Sequence, residues 1–353
     1  MTFAEARAQF PVLERLAYLQ AGSTGPLARQ TIAAMGAEDE RSLNEGRSGQ
    51  GYFDRVLGLR LEVREELANL VGVRPEHVAL TASTTDGCNL VLAGLELGPE
   101  DEIVTTTDEH FGLLGPLHTS GARVIVTSPD PKSIIAALTA RTRLLALSHV
   151  LWTTGQMLPV HELRQQAHVP ILVDGAQSVG AIPVDARGLD FMTISGQKWL
   201  CGPESTGALI VADPTRLRIA RPSYFSQETY RADGAFEPWP GARRFDPGWL
   251  PTSSLSGLLR AVRTRPEWCF TRSWEMAELC RQMLRAAGVE VVSPEERATI
   301  VSWRSAEPAD VVARLESEGV MVREIPKTGL VRASIGWWTN EDDLERLVNG
   351  LKS

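Results

Sequence analysis

The chain has 353 residues, of which 43% are hydrophobic and 23% are charged. At roughly 150 residues per domain, this length suggests about two domains, and the composition is that of an ordinary globular protein. The net charge is −8, from 36 Lys and Arg against 44 Asp and Glu, and no Lys/Arg-rich run is present. These values argue against nucleic acid or an anionic membrane as the main partner, so we expect a small-molecule ligand.

The first residues and the cysteines bear on compartment and metal binding. Glu5 and Arg7 fall where a secretory signal needs an unbroken apolar core, and no later apolar run is long enough to cross a bilayer. The four cysteines lie far apart without a C-x-x-C pair, which indicates neither a zinc site nor a disulfide framework. We therefore expect a cytoplasmic protein without a metal site or a membrane segment.

Short β-rich apolar runs alternate with amphipathic stretches in the first two thirds of the chain. The predicted strands cover residues 78–80, 102–106, 123–127, 144–148, 171–173 and 191–194. Helical patterns such as 55–71 and 134–140 fall before and between them. Continuous apolar runs are typical of strands buried on both faces, so this order predicts a mostly parallel sheet covered by helices. Residues 207–212 would close the sheet as an antiparallel strand.

Residues 224–250 differ in composition from the preceding segment: they are rich in Gly, Pro and aromatic residues and show no hydrophobic periodicity. Such a segment is typical of a long functional connection between two domains. Beyond it the pattern predicts helices at 253–263, 270–287 and 309–318, and strands at 289–292, 299–303, 320–324 and 330–335. A final helix would be capped by Thr339 or Asn340. The prediction is an α/β fold with a large domain over 15–248 and a small α+β domain formed by 1–14 and 249–353.

Polar residues follow four of the apolar runs directly. Asp174 follows the run at 171–173, Lys198 lies shortly after 191–194, and His110 comes after 102–106. A hydroxyl-rich turn that includes Thr84 follows the run at 78–80. Because ligands of open parallel sheets bind outside the carboxyl ends of the strands, we expect these groups to converge.

An amine, a carboxylate and an anion-binding turn are what pyridoxal phosphate requires of a protein. Lys198 would form the Schiff base, and Asp174 would keep the pyridine nitrogen of the cofactor protonated. A turn at the start of a helix offers backbone N–H groups and the positive end of the helix dipole to a phosphate. The predicted phosphate ligands are Thr84, Thr85, Ser195 and Gln197.

With these residues the sequence resembles the class V aminotransferases, enzymes of the type I pyridoxal-phosphate fold that include cysteine desulfurases, cystine C–S lyases and isopenicillin N epimerase. The most specific stretches are 173–185 and 190–203, which keep the acid, glutamine and lysine in the order and separation of the family. Residues 18–26 resemble its N-terminal active-site strand and turn, and residues 331–336 resemble its substrate-carboxylate strand.

The resemblance implies a role for each matching residue. Lys198 is the Schiff-base lysine, Asp174 the partner of the pyridine nitrogen, and His110 the imidazole stacked on the ring. Gln177 would donate to the ring hydroxyl, and Arg332 would bind the substrate α-carboxylate through its planar fork. The family further implies a homodimer with the active site at the subunit interface, acting on a small amino-acid substrate.

The sequence departs from the family at three places. Gln197 replaces the usual histidine before the lysine and does not titrate near neutral pH. At the ring hydroxyl, where many members carry asparagine, the chain offers Trp152 or Thr153. The threonine that a neighbouring subunit often lends to the phosphate aligns near Trp249, so this contact is either missing or supplied by Thr252 or Ser253.

The segment that precedes Arg332 indicates which reaction of the family the chain catalyses. Cysteine desulfurases need a nucleophilic cysteine there, and residues 322–331 contain none. Arg323 together with Arg332 most resembles the cystine C–S lyases, so β-elimination from a cystine- or cysteine-type substrate is the prediction. An aminotransferase or an epimerase remains the alternative, followed by a catalytically silent cofactor-binding protein. A nicotinamide oxidoreductase is disfavoured because no G-x-G-x-x-G turn follows an early strand.

Overall fold

A computed structural model describes residues 1–296 and 298–352. The strands are β1 (Ala17–Tyr18), β2 (Val78–Thr81), β3 (Glu102–Thr106), β4 (Arg123–Thr127), β5 (Thr142–Ser148), β6 (Ile171–Asp174), β7 (Phe191–Ser195), β8 (Gly207–Val211), β9 (Gln227–Tyr230), β10 (Phe236–Pro238), β11 (Ile300–Arg304), β12 (Val320–Met321), β13 (Arg323–Ile325) and β14 (Leu330–Ser334). The α-helices are α1 (Phe3–Arg7), α2 (Arg29–Glu45), α3 (Gly49–Leu70), α4 (Thr84–Leu95), α5 (Phe111–Thr119), α6 (Pro131–Ala136), α7 (Val160–Gln166), α8 (Thr252–Arg263), α9 (Cys269–Ala286), α10 (Pro308–Ser317) and α11 (Glu341–Lys352).

The larger sheet has seven strands in the order β2-β8-β7-β6-β5-β3-β4. β8 runs antiparallel to both of its neighbours, and the other adjacent pairs are parallel. Every residue of β2, β3, β6, β7 and β8 is buried, whereas the edge strand β4 is partly exposed. These observations confirm the predicted α/β class, because strands buried on both faces carry the continuous apolar runs seen in the sequence.

The smaller sheet is antiparallel, in the order β11-β14-β13. Its apolar side chains pack with those of α9 and α11 in a separate core around Trp303, Leu284 and Leu344. The predicted strand at 289–292 is wrong, since only Val291 makes an isolated bridge, to Trp303. The predicted strand at 320–324 is divided, because β12 pairs with β1 while β13 pairs with β14.

Local signals set several helix ends. Asn340 caps α11, since its Oδ1 accepts the backbone N–H of Asp343 at 3.0 Å and its own N–H donates to the Asp343 carboxylate. Ser83 caps α4 by accepting the N–H of Asp86 at 3.1 Å. α3 begins at Gly49, six residues before the predicted start. The prediction missed its first turn because the glycines there interrupt the apolar periodicity on which it relied.

The connection at 224–250 contains the β9–β10 hairpin and leads into α8. Two contacts cross the predicted domain boundary. Leu255 and Leu258 of α8, which lie beyond residue 248, pack in the core of the larger sheet, and β1, which lies before it, pairs with β12. The division into 15–248 and 249–353 therefore stays a prediction. Within the described part of the chain, no helix combines the length and the apolar character needed to cross a bilayer.

Candidate active site

An amine and a carboxylate meet at the ends of two neighbouring strands. Asp174 is the last residue of β6 and pairs with Thr193 of β7, and Lys198 lies in the turn that follows β7. Burial lowers the pKa of Lys198 to about 8, with Arg332 and Arg323 acting in the same direction and Asp174 opposing them. A fraction of this amine is therefore uncharged near neutral pH and about half near pH 8, as a nucleophile or proton acceptor requires.

The Asp174 carboxylate is held from one side. Its Oδ1 accepts the backbone N–H of Ala176 at 2.9 Å and the Thr193 hydroxyl at 3.1 Å. The residue is 3% exposed, so a further donor to Oδ2 would meet an oriented carboxylate at little cost in solvation. This arrangement suits the protonated nitrogen of a pyridine ring.

An imidazole and an indole lie at the neighbouring strand ends. His110 caps α5, with Nδ1 accepting the N–H of Gly112 at 3.0 Å. Burial and then the charge of Lys198 lower the pKa of His110, which favours the neutral ring. The Trp152 ring stands edge-on to it, with centroids 4.9 Å apart and planes at 88°. A neutral imidazole in this place can stack on a flat aromatic ligand.

The predicted phosphate ligands lie close to the start of α4. Thr84 and Thr85 are the first two residues of this 12-residue helix, whose first-turn N–H groups lack helical partners. A Cβ on Gly112 would lie 2.7 Å from the Thr85 hydroxyl oxygen, so α5 approaches the start of α4 closely. Ser195 donates to Gln197 Oε1 at 2.9 Å at the adjoining end of β7.

Gln177 is committed to protein contacts on both ends of its amide. Its Nε2 donates to the carbonyl of Gly22 at 2.8 Å, and its Oε1 accepts the indole N–H of Trp199 at 2.9 Å. One amide hydrogen remains for a ligand. The donation to a ring hydroxyl stays a prediction, and the observed bonds join the N-terminal turn to the segment that carries the lysine.

Two arginines lie side by side without an acid. Arg323 of β13 and Arg332 of β14 are direct cross-strand partners. Arg332, which is 1% exposed, donates to the carbonyl of Trp152 at 2.8 Å, and both guanidinium groups donate to Ser23 Oγ, at 2.9 Å from Arg323 and 3.4 Å from Arg332. Burial, and then Arg323, lower the pKa of Arg332 to about 9.

Among the residues that the structure describes, neither guanidinium group forms a salt bridge. Adjacent like charges are destabilising, and a buried cation without an anion is costly. An anionic ligand would relieve both effects.

Sequence reasoning missed Ser23, whereas it considered Trp152 and Thr153 for the contact with the ring hydroxyl. Ser23 joins the two guanidinium groups, and each of these lies 5.9 Å from the Trp152 ring centroid. The indole Nε1 of Trp152 is buried, and no partner for it is found among the described residues. At the other position considered for the ring hydroxyl, Thr153 donates to Asp108 at 3.4 Å. Ser23 lies in the stretch 18–26 that resembles the N-terminal active-site turn of the family, and this was the signal that could have found it.

The residues present fit pyridoxal phosphate. A low-pKa amine, a half-satisfied carboxylate, a neutral imidazole and a helix N-terminus occupy one edge of the sheet, and an unpaired guanidinium pair faces them. In the described residues, no group of three or more His, Cys, Asp or Glu has the arrangement of a metal site.

Comparisons with known proteins agree with this donor set. The family model described as class V aminotransferase matches residues 17–347. The isopenicillin N epimerase of Streptomyces clavuligerus is 28% identical over 98% of this chain and 97% of its own length. A probable cysteine desulfurase of Methanothermobacter thermautotrophicus is 27% identical over 99% of this chain and 97% of its own length.

A solved structure of the cystine C–S lyase C-DES with its reaction product cysteine persulfide superposes with a TM-score of 0.91. The two proteins are 26% identical, and the match covers 97% of this chain and 99% of C-DES. A C-DES mutant with glycine covalently linked to its pyridoxal phosphate superposes with a TM-score of 0.92, over 98% of each chain at 26% identity.

Proposed function

The chain belongs to the class V aminotransferases and is a pyridoxal-phosphate-dependent enzyme, and we propose that it cleaves a carbon–sulfur bond of a cystine- or cysteine-type amino acid by β-elimination. The observation that carries the proposal is the unpaired pair of Arg323 and Arg332, which faces the amine and provides for an amino-acid carboxylate. C-DES, a protein of the same fold and 26% identity, is a cystine C–S lyase.

We propose that Lys198, Asp174, His110, Gln177 and the start of α4 hold the cofactor as the sequence predicts. When bound, pyridoxal phosphate accepts the electron pair that the substrate leaves behind as its Cα–H bond breaks. Lys198 Nζ receives that proton, because its lowered pKa keeps the amine in part uncharged. Arg332 and Arg323 orient the substrate by bonding its carboxylate, which fixes the Cα–H bond relative to Nζ.

Sulfur leaves without attaching to the protein in this proposal. The four cysteines are free and buried, and burial raises the pKa of each thiol, to about 12 for Cys201 and Cys280. Between β13 and β14, where a desulfurase needs its nucleophile, the chain makes a tight turn in which Thr328 Oγ1 donates to the carbonyl of Ile325 at 2.8 Å. A persulfide-transfer step therefore has no nucleophile here.

A homodimer is the assembly we propose. Large apolar side chains from separate segments are exposed around Trp249, which is itself 54% exposed: Leu43 of α2 at 83% and Tyr224 at 55%. Trp249 and Tyr52 stack with centroids 6.1 Å apart beside an open cavity of about 940 Å³. A grouped apolar surface of this kind is typical of a subunit interface. Trp249→Arg should yield monomers by light scattering if this surface forms the dimer.

The cytoplasm stays our proposed compartment. The four free thiols are consistent with a reducing environment. Mild oxidation of the purified protein should leave its thiol count at four when the denatured chain is titrated.

The reaction is tested by supplying cystine, cysteine and a panel of amino acids to the loaded enzyme, with and without a keto-acid acceptor. Elimination from cystine adds one water and yields pyruvate, ammonia and cysteine persulfide, so no acceptor is consumed. Strict dependence on the acceptor would contradict elimination and indicate an aminotransferase. Conversion of an L- to a D-amino acid without keto acid would indicate an epimerase, and turnover of none would indicate a silent cofactor-binding protein.

A further inference from the structure

A second buried acid lies at the carboxyl edge of the larger sheet and has no part in the function proposed above. Glu109 directly precedes His110 in the turn between β3 and α5 and is 4% exposed. Within residues 1–296 and 298–352, no lysine, arginine or histidine forms a salt bridge with it. A buried carboxyl group without a cation is costly unless other donors satisfy it.

Hydrogen bonds from two strands satisfy this carboxyl group. Its Oε1 accepts the Thr106 hydroxyl at 2.8 Å and the backbone N–H of Ser148 at 2.9 Å, and its Oε2 lies 2.5 Å from Ser148 Oγ. Thr106 ends β3 and Ser148 ends β5, which are neighbours in the sheet. The carboxyl group therefore ties the turn after β3 to the end of β5.

Both tied segments lead to residues that we place against the cofactor ring. The turn after β3 carries His110, and Ser148 is the direct cross-strand partner of Asp174. We propose that Glu109 is a positioning residue of the cofactor site, which acts through His110 and Asp174 by fixing the spacing and the electrostatic potential of these two groups. The inference rests on the cofactor arrangement of the proposed function.

The charges around Glu109 give this role an electrostatic component. The pKa of Glu109 is raised to about 7, with burial as the largest cause; the bonds from Ser148 and Thr106 oppose this shift, and the charge of Asp174 adds to it. Two titratable groups interact electrostatically with Glu109, Asp174 on β6 and Cys88 on α4, and His110 follows it directly in the chain. The thiol of Cys88 has a pKa raised well above its usual value and is uncharged. Glu109 thus gains a negative charge beside Asp174 as the pH rises through neutrality.

The test is Glu109→Gln, which keeps the shape of the side chain and removes its charge. The readout is the pH titration of the visible absorbance of the loaded protein without substrate, so it does not depend on turnover. Loss of a nearby negative charge disfavours the protonated form of neighbouring groups, and we expect the midpoint to fall by about one pH unit. Visible circular dichroism of the bound cofactor should also change, because the orientation of His110 changes.

Glu102→Gln is the matched control. Glu102 is a buried glutamate at the opposite end of β3, where it accepts from Thr139 at 2.6 Å and from Arg141 at 2.8 Å. We expect its substitution to leave the midpoint unchanged. A Glu109→Gln midpoint that agrees with the wild type within about 0.2 units would overturn the inference, as would an equal shift in the control.

Ser148→Ala provides a second variant if Glu109→Gln does not fold. It removes one hydroxyl donor to the carboxylate and so favours protonated Glu109. We expect a midpoint shift in the same direction and of smaller size, and no shift would contradict the inference. A wild-type protein whose loaded form has no visible band would count against the proposed cofactor site itself, whereas a normal wild-type titration that the variants leave in place counts against Glu109 alone.

Discussion

The two edges of the larger sheet differ in whether their buried charged groups form salt bridges. At the amino edge, buried acids are paired with arginines. Glu102 accepts from Arg141 at 2.8 Å, and Asp190 lies 2.5 Å from Arg164 and 2.8 Å from Arg216. Hydrogen bonding from Thr139 and then the Arg141 guanidinium hold the pKa of Glu102 below its usual range. Pairing of this kind satisfies the acids within the chain itself.

At the carboxyl edge, four charged groups of the candidate site lack such partners. Neither Lys198 nor Glu109 forms a salt bridge with another described residue, and the facing Arg323 and Arg332 are equally unpaired there. The pKa values of Lys198, Glu109 and Arg332 are all shifted toward the neutral form, with burial as the largest cause. The difference teaches that the unpaired charges and the largest shifts in pKa lie together at the candidate site, and perturbed pKa values of this kind are typical of functional sites.

Replacing the amine should have the largest effect. Lys198→Ala removes the proposed cofactor attachment and the proposed proton acceptor, so kcat should fall by about 10³-fold or more. Steady-state kinetics and the absorbance of the loaded protein measure this. Lys132→Ala, which alters an exposed lysine on α6, is the control and should keep full activity. An active Lys198→Ala protein with an unchanged visible band would contradict the site.

Substitutions of the two arginines should have the second largest effect, and this effect should be on substrate binding. Arg332→Met removes the buried guanidinium that we propose to bind the substrate carboxylate, and KM should rise by about 10–100-fold with a smaller change in kcat. Arg323→Met should raise KM less, because Arg323 is half-buried and keeps Arg332 as a neighbour. Equal KM values for both variants and the wild type would show that the pair does not bind substrate.

Substitutions at the amino edge, where the acids form salt bridges, should lower the stability of the protein and leave its activity unchanged. Asp190→Asn leaves Arg164 without its anion, whereas the half-exposed Arg216 keeps Asp213 at 3.8 Å, and the free energy of unfolding should fall by about 1–2 kcal/mol. Urea denaturation measures the loss, and kcat per folded molecule should stay at the wild-type value. A large fall in kcat at full stability would break the comparison between the edges.

The pH dependence of cofactor uptake follows from Lys198. Its folded pKa of about 8 lies below the usual value of 10.5, so the uncharged amine that attacks the aldehyde grows roughly tenfold per pH unit up to about pH 8 and then levels off. Stopped-flow absorbance of the apoprotein with pyridoxal phosphate follows this rate. The same shift destabilises the fold below pH 8, and this penalty is lost between pH 8 and 10.5. Arg332→Met should move the midpoint upward, and an unmoved midpoint would contradict the coupling.

Substitution of Trp152 should have the smallest effect on substrate binding. Trp152→Phe keeps the ring beside His110 and removes the buried N–H, and KM should rise by about 2–5-fold if that group donates to the ligand. Trp268→Phe is the matched control, since its indole N–H donates to the Met1 carbonyl away from the site. An unchanged KM for Trp152→Phe would leave this indole a purely packing role.

Sequence pattern alone predicted the α/β class and the polar residues at the strand ends. Lys198, Asp174 and His110 could be found because each follows a continuous apolar run, and parallel strands end at one edge of the sheet. Helix starts and short strands were less accessible. Residues 289–292 alternate like a strand, yet Val291 alone bridges to Trp303, because pairing depends on a partner that the local pattern does not specify.

Only the tertiary structure decided which distant residues share a surface. Arg323 faces Arg332 through the register of β13 and β14, and Ser23 reaches both from the other end of the chain. Glu109 meets Ser148, 39 positions away, because β3 and β5 are neighbours in the sheet. The sequence thus determined the chemical groups and the strands that present them. Strand order and register determined which charges remain unpaired, because those depend on long-range packing rather than on local spacing.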